Sequence, residues 1–136
     1  MTTGYSGSPL VRKLGLEARM RAVFVDAPDH YLELLGEIPE PISLLRRPGR
    51  NMDFVHFFTS RRRRLDTRVP ALEASLASTG MLWISWPKKS SSLYTEVAES
   101  DIRRAGLAAG LVDVKICAVD EDWSGLKFVY RKEDRW

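Results

Sequence analysis

Short apolar runs alternate along this chain with segments in which apolar residues recur at helical spacing. The runs are rich in β-branched and aromatic residues and are closed by Pro, Gly or Asp, a pattern typical of buried strands. Pro41 and the arginine pair that follows it place one run at a sheet edge. Six strands are predicted, within RMRAVFVDAP, PISLLRR, MDFVHFF, MLWISW, VDVKICAVD and GLKFVYRK.

Helix signals fill most of the intervals between the strands. Residues 9–14 are predicted to form a short helix with Ser8 as its N-cap and Gly15 at its end. A second helix follows Asp29, a candidate N-cap. A third begins near Pro70, because a proline should split the helical stripe around it, and ends at the next glycine. The last helix lies within YTEVAESDIRRAGLAAGL.

The order of these elements, β-α-β-β-α-β-α-β-β, predicts an open α/β sheet. Strands one to four are expected to run mainly parallel, because helices or long crossovers separate most of them. The last two strands are joined by a short connection and should form an antiparallel hairpin. We expect one domain over residues 1–136, with an N-terminal arm and short helix over 1–18 and the sheet core over 19–136.

Composition narrows the function classes. The net charge of +3 is small for a domain that wraps nucleic acid. Cys117 is the single cysteine, which we expect to be buried, and the two histidines lie 26 positions apart, so the sequence shows neither a disulfide nor a metal signature. No apolar run approaches the roughly 20 residues that span a bilayer, and no secretory signal opens the sequence. A cytoplasmic protein without metal, cofactor or membrane contact is therefore expected.

A resemblance to a known family rests on three stretches, GYSGSPLVRKLG, WISWPKKSS and GLVDVKICAVDEDWSGLKFVYRK. They are similar to the uncharacterised bacterial domain-of-unknown-function family 3052, and the similarity covers nearly the whole chain. Because that family has no established activity, the resemblance implies no catalytic residue.

A second resemblance concerns architecture. The stretch ALEASLASTGMLWISW, with a helix and a terminal hairpin after it, is similar to the second half of class I methyltransferases. This resemblance implies a Rossmann-like, three-layer sheet in the order 2-1-3-4-6-5, with the last strand antiparallel. Those enzymes carry a glycine-rich loop after strand one and an acidic residue at the end of strand two. Here VDAPDHY has no glycine, and Arg46 and Arg47 stand where the acid would be, which argues against an adenosyl cofactor.

Ligands of open α/β sheets bind beyond the carboxyl ends of the strands, at the point where the strand order reverses. The implied order puts that crevice between strands one and three, and strand four ends beside it. The residues expected along this rim are Asp26, Asp29, His30, Ser60, Arg61, Lys88, Lys89 and Ser90.

An anion site is one interpretation of the rim, because it combines two lysine charges, serine hydroxyls and a forked arginine donor. The alternative is a solvated loop, since lysines in loops are usually exposed. The GYSG stretch would fold over the site as a lid. The candidate anion-binding residues are Lys88, Lys89, Ser90, Arg61 and Ser60, and the candidate lid residues are Tyr5 and Ser6.

Two further charged stretches have competing interpretations. The arginines at positions 61–64 are expected to be a solvated run that pairs with Asp66 and Glu73, and nucleic-acid contact is the alternative. Cations at a helix N-terminus oppose the helix dipole, so acidic partners or a bound anion should lie nearby. DEDWSG is expected to be a solvated hairpin turn with Trp123 over the sheet edge, and His56 a hydrogen-bonded strand residue.

Three functions follow from these interpretations. The leading hypothesis is a non-catalytic domain that binds an anionic small molecule or a protein partner at the carboxyl ends of the strands. The first alternative is a degenerate transferase-like enzyme without the glycine-rich loop, in which Asp26, Asp29 and His30 act as acid–base groups. The second alternative is a nucleic-acid binder that uses the arginine run.

Overall fold

Six strands form one mixed sheet in the order β2-β1-β3-β4-β6-β5 in the computed structural model, which describes residues 9–136. Strands β1 to β4 run parallel, and β6 runs antiparallel to both of its neighbours. The predicted α/β class, strand order and terminal hairpin are therefore confirmed. The strands are β1 (Arg21–Val25), β2 (Ser43–Leu45), β3 (Met52–Phe58), β4 (Leu76–Pro87), β5 (Leu111–Ala118) and β6 (Trp123–Tyr130).

Helices cover both faces of the sheet. The first two pack on one apolar cluster and the last two on the other, which removes the central strands of the sheet from water on both faces. Trp83 ties the first helix to the sheet, because its indole N–H donates to the last carbonyl of that helix at 2.8 Å. The helices are α1 (Leu10–Leu14), α2 (Tyr31–Leu35), α3 (Arg62–Ala74) and α4 (Glu99–Ala108), and a 3-10 turn (Lys132–Asp134) follows β6.

Helix α3 is longer than predicted, because Pro70 lies inside it instead of opening it. A proline within a helix removes the hydrogen bond to the carbonyl four residues earlier, which is that of Asp66. Both residues are exposed, so water can bond that carbonyl and the helix continues. The prediction of a split was therefore wrong, and the arginine run forms the first turn of α3.

Strand β4 begins well before the predicted start at Met81 and includes Gly80. Its pairing with β3 slips between Met52 and Phe54, where extra residues of β4 bulge from the ladder. A Cβ at position 80 would lie 2.4 Å from the carbonyl oxygen of Met52. Glycine is therefore needed for this close approach, and the prediction that Gly80 ends a helix was wrong.

Two smaller predictions also differ from the structure. The N-cap of α2 is His30 rather than Asp29, and it makes no side-chain capping bond. Cys117 is half-buried rather than buried, and that burial raises the pKa of its thiol. Ser8, the predicted cap of α1, lies outside the described residues.

A chain of buried polar groups crosses the core beneath α2. The hydroxyl oxygen of Tyr31 lies 2.6 Å from Nδ1 of His56, whose Nε2 lies 2.7 Å from Oγ of Ser85. His56 is completely buried, so the loss of hydration lowers its pKa to about 3. The imidazole is neutral in the folded protein at neutral pH, and His56 is the hydrogen-bonded strand residue that the sequence predicts.

We predict that the free energy of unfolding falls as the pH drops from about 7 towards about 4. His56 takes up a proton near its ordinary pKa of 6.5 in the unfolded chain but only near about 3 in the folded protein, so acid favours the unfolded chain. The slope from this residue approaches about 1.4 kcal/mol per pH unit. Urea unfolding of His56→Gln across the same range should lose that part of the slope. Equal slopes in the two proteins would contradict the prediction.

Gly106 lets α4 lie close to the sheet. A Cβ at this position would come 2.1 Å from a ring carbon of Phe128, which is itself completely buried. We predict that Gly106→Ala lowers the free energy of unfolding by about 1–3 kcal/mol, although alanine is the better helix former. The control Ser100→Ala, at an exposed position of α4, should change it by less than about 0.5 kcal/mol. Urea denaturation measures both, and a stabilised Gly106→Ala variant would show that α4 can move away from the ring.

Candidate functional site

The carboxyl ends of β1, β3 and β4 meet at one edge of the sheet, because these strands run parallel. The turn between β5 and β6 reaches the same edge, since antiparallel β6 places Trp123 opposite Pro87. Two bonds of 2.8 Å fasten that turn to the loop after β4. The N–H of Lys88 donates to the carbonyl oxygen of Asp122, and the hydroxyl of Ser91 donates to the carboxylate of Asp122. The hairpin turn is thus part of the rim.

An ion pair bridges the predicted crevice between β1 and β3. Both Nη2 and Nε of Arg64 donate to Oδ2 of Asp26, at 2.7 and 2.9 Å. Because Arg64 belongs to α3, this pair ties the end of β1 to the helix that follows β3, and the carboxylate of Asp26 is engaged. Asp29 is exposed and lines a separate cavity of about 370 Å³, together with Arg46 at the carboxyl end of β2.

His30 is paired with an acid that the sequence assigned to a solvated turn. Its Nε2 lies 2.8 Å from Oδ2 of Asp120, and the other oxygen of that carboxylate accepts the N–H groups of Asp122 and Trp123 at 2.8 Å each. Asp120 is only 6% exposed, so the prediction was wrong for this residue. Trp123 packs edge-on against Phe58, with ring centroids 5.2 Å apart, because β6 lies inside the sheet and not at its edge.

Three of the four arginines at positions 61–64 form ion pairs with acids from elsewhere in the chain. In addition to its ion pair, Arg61 lies over the ring of Tyr94, 5.0 Å from its centroid. The predicted pairing with Asp66 and Glu73 was wrong, because other carboxylates lie closer to the guanidinium groups. The observed pairs are Arg61–Glu96 at 3.4 Å, Arg62–Asp101 at 2.9 Å and Arg64–Asp26 at 2.7 Å.

Glu96 organises the junction between the loop after β4 and α3. Its carboxylate accepts the backbone N–H of Arg62 at 3.0 Å and the hydroxyl of Tyr94 at 2.9 Å, and its own N–H donates to the carbonyl of Ser60 at 2.8 Å. The N–H of Arg62 and the Tyr94 hydroxyl lower the pKa of this carboxyl below its ordinary value. A carboxylate at the start of α3 also offsets part of the unfavourable interaction between the arginines and the helix dipole.

A cavity of about 560 Å³ opens beside this junction, between the loop after β4 and the N-terminus of α4. Lys88 and Lys89 line it, and neither takes part in an ion pair among residues 9–136. Three acids line it too, but each already holds an arginine. The pairs are Glu96 with Arg61, Glu99 with Arg103, and Asp101 with Arg62 and Arg104. Both lysines of this cavity are therefore without an ion-pair partner among the described residues.

The other residues of the predicted anion set lie outside this wall. Arg61 is engaged by its acid and its aromatic neighbour, as described above. Ser90 is exposed in the loop, and Ser60 uses its carbonyl oxygen to fix the segment before α4. Tyr5 and Ser6, the predicted lid residues, lie outside the described residues.

Sequence reasoning missed the acids that shape the rim. Glu96, Asp101 and Asp120 pair with residues that are 34, 39 and 90 positions away, and no local pattern announces such a contact. Only Asp101 gives a local signal, because its carboxylate accepts the N–H of Ala98 at 2.9 Å, as an acid at the third position of a helix often does.

Two negative findings apply to residues 9–136. No group of three or more His, Cys, Asp or Glu side chains there could hold a metal ion. The helices of this part of the chain also lack the length and apolar character that crossing a membrane requires.

The fold occurs in methyltransferases of known structure. A SAM-dependent methyltransferase from Aquifex aeolicus matches with a TM-score of 0.63 and 13% identity, over 88% of this chain and 86% of that one. The magnesium protoporphyrin IX methyltransferase of Synechocystis PCC 6803 with bound SAH gives 0.60 and 12%, over 90% and 78%. The precorrin-6y C5,15-methyltransferase of Geobacter metallireducens GS-15 gives 0.60 and 10%, over 90% and 86%. Identities this low show the fold alone.

The family is shown by a match at the sequence level. The family model described as "Protein of unknown function (DUF3052)" matches residues 64–132, just over half of the chain, which confirms the resemblance found in the sequence. A comparison with curated proteins gives no match. The chain therefore belongs to the DUF3052 family of proteins of unknown function and has a methyltransferase-like fold.

Proposed function

We propose that this protein is a non-catalytic α/β domain that binds an anionic small molecule in the cavity between the loop after β4 and the N-terminus of α4. The observation that carries the proposal is the pair Lys88 and Lys89, which line the cavity without an ion-pair partner among residues 9–136. Because the acids of the same wall already hold arginines, a negatively charged ligand would meet two free ammonium groups.

The start of α4 supports the same class of ligand. Ala98 and Glu99 line the cavity, and the first N–H groups of a helix have no acceptor within it. The helix dipole also favours an anion at this end. Of the backbone N–H groups at this end of the helix, the carboxylate of Asp101 accepts only that of Ala98. Ser124, which also lines the cavity, adds a hydroxyl donor. A phosphate or carboxylate head group suits this set of donors.

The other binding hypotheses have less support. Ion pairs neutralise Arg61, Arg62 and Arg64, so the arginine run offers little free charge to a nucleic-acid backbone, whose affinity depends on the number of phosphates contacted. A protein partner in place of a small molecule remains the alternative within this proposal. Leu93 and Tyr94, both exposed beside the cavity, would then contribute to the contact.

We predict that Lys88→Ala/Lys89→Ala weakens the binding of a phosphorylated ligand at least about tenfold, because a hydrogen bond to a charged group contributes about 1.5–3 kcal/mol. Calorimetric titration with a panel of nucleotides and sugar phosphates identifies the ligand of the wild type and then measures the double variant.

The control for this experiment is Lys132→Ala, which removes an exposed lysine from the 3-10 turn and should leave the affinity unchanged. The proposal fails if no member of the panel gives saturable binding or a thermal shift with the wild type. It also fails if the double variant binds as tightly as the wild type.

A transferase-like enzyme is the second candidate, and the pair His30–Asp120 favours it. Asp120 is buried with both oxygens hydrogen-bonded, whereas the His30 side chain is 46% exposed. When Nε2 donates to the carboxylate, Nδ1 of the neutral imidazole carries a lone pair. Such a ring could take a proton from a bound substrate. The pair ranks second because neither His30 nor Asp120 lines the cavity that holds Lys88 and Lys89.

The cofactor of the neighbouring enzymes separates the two candidates. We predict that S-adenosylmethionine gives no saturable binding in calorimetry. The loop after β1 has no glycine, its Asp26 is engaged by Arg64, and Arg46 stands at the carboxyl end of β2. The Synechocystis methyltransferase, whose structure holds SAH, serves as the positive control. Saturable binding of the cofactor to this protein would reverse the ranking.

A further inference from the structure

A second basic cavity, of about 480 Å³, lies between the C-terminal half of α3 and the loop that joins β2 to β3. The loop contributes Arg47 and Gly49, and the helix contributes Arg68. Because α3 starts at the carboxyl edge of the sheet and ends at the amino edge, this cavity lies at the far end of the helix from Lys88 and Lys89. The rest of its wall is formed by Pro48, Ala71, Leu72, Ala74 and Ser75.

The positive charge of this cavity is uncompensated. Neither Arg47 nor Arg68 makes an ion pair among the described residues, and no described residue in the wall carries a carboxylate. Arg21 brings a third guanidinium to the same loop, since a Cβ on Gly49 would lie 2.9 Å from its Nη2. The C-terminus of α3 offers only about half an elementary charge of the opposite sign, which is less than the two guanidinium groups of the wall carry.

Arg68, in the wall of this cavity, has an unpaired donor. Its Nε is closed off from solvent and has no hydrogen-bond partner, which is true of no other buried side-chain nitrogen or oxygen in the described part of the chain. A guanidinium keeps its protons in proteins, and leaving a buried donor unpaired is unfavourable. An oxyanion in the cavity would supply the acceptor once the guanidinium turns its Nε–Nη2 edge towards it.

We propose that this cavity binds the phosphoryl group of a small phosphate monoester, which Arg47 and Arg68 hold while the apolar side chains of α3 cover the rest of the ligand. A phosphate dianion balances two guanidinium charges, whereas a carboxylate balances only one. The planar fork of arginine also matches phosphate oxygens in bidentate pairs. This site shares no residue with the Lys88–Lys89 cavity and does not depend on it.

Titration with phenyl phosphate tests the proposal, with the proton–nitrogen NMR resonance of Arg68 Nε as the readout. The protein is the Lys88→Ala/Lys89→Ala variant, so that the carboxyl-edge cavity does not contribute. We expect a saturable shift of that resonance and an affinity at least about tenfold weaker in Arg47→Ala, from the loss of one charge-assisted contact. The matched control Arg63→Ala removes the same charge from the exposed start of α3 and should bind like the parent.

Two further ligands define what the cavity recognises. Benzoate keeps the ring but carries a carboxylate, and inorganic phosphate keeps the phosphoryl group but lacks the ring, so both should bind more weakly than phenyl phosphate. An unsaturable shift, or equal weakening by Arg47→Ala and Arg63→Ala, would overturn the site. Benzoate binding as tightly as phenyl phosphate would overturn the phosphate assignment. None of these results bears on the Lys88–Lys89 proposal, because those lysines are absent from the protein tested.

Discussion

The backbone hydrogen bonds between β4 and β6 fix where the last turn of the sheet can lie. Because β6 runs antiparallel to β4, with Trp123 opposite Pro87, the turn before β6 must lie beyond the carboxyl end of β4. Asp122 then meets the loop that carries Lys88, and the turn also supplies the carboxylate that holds His30. If β5 had paired with β4 instead, Asp122 and Trp123 at the β6 end of the turn would lie about 4.8 Å farther from that loop, one strand spacing away.

Ion pairs at this edge divide the basic residues into engaged and free groups. Exposed pairs such as Arg61–Glu96 each contribute only about 0–1 kcal/mol to stability. Their main effect is to determine which charged side chains at this edge stay unpaired. Glu96 and Asp101 would otherwise face Lys88 and Lys89 across the same cavity as unpaired carboxylates. Since the arginines of α3 hold these acids, the lysines keep their charge for a ligand.

Local patterns predicted the strands better than they predicted the contacts between them. MDFVHFF matches β3 residue for residue, because a run this short that is rich in aromatic side chains favours a strand over a helix. Pro70 and Gly80 were misassigned, because both depend on tertiary structure. At Pro70 the deciding factor is the access of water to the carbonyl of Asp66, and at Gly80 it is the close approach of the carbonyl of Met52. The sequence did predict that Lys88 and Lys89 lie on the rim, because the carboxyl ends of parallel strands meet at one edge of a sheet. The sequence did not predict which acids Lys88 and Lys89 face, or that Asp120 is buried. Both depend on contacts between residues far apart in the sequence.

The two basic cavities attract an anion on different physical terms. At the start of α4 the helix dipole and the lysines act in the same direction, and lysine is a strongly hydrated point charge on a flexible stem. That combination suits ligands of varied shape. Near the end of α3 the dipole opposes an anion, so guanidinium groups must outweigh it. The interaction of a guanidinium group with a ligand is strongest where water is excluded. In this structure Nε of Arg68 is closed off from solvent.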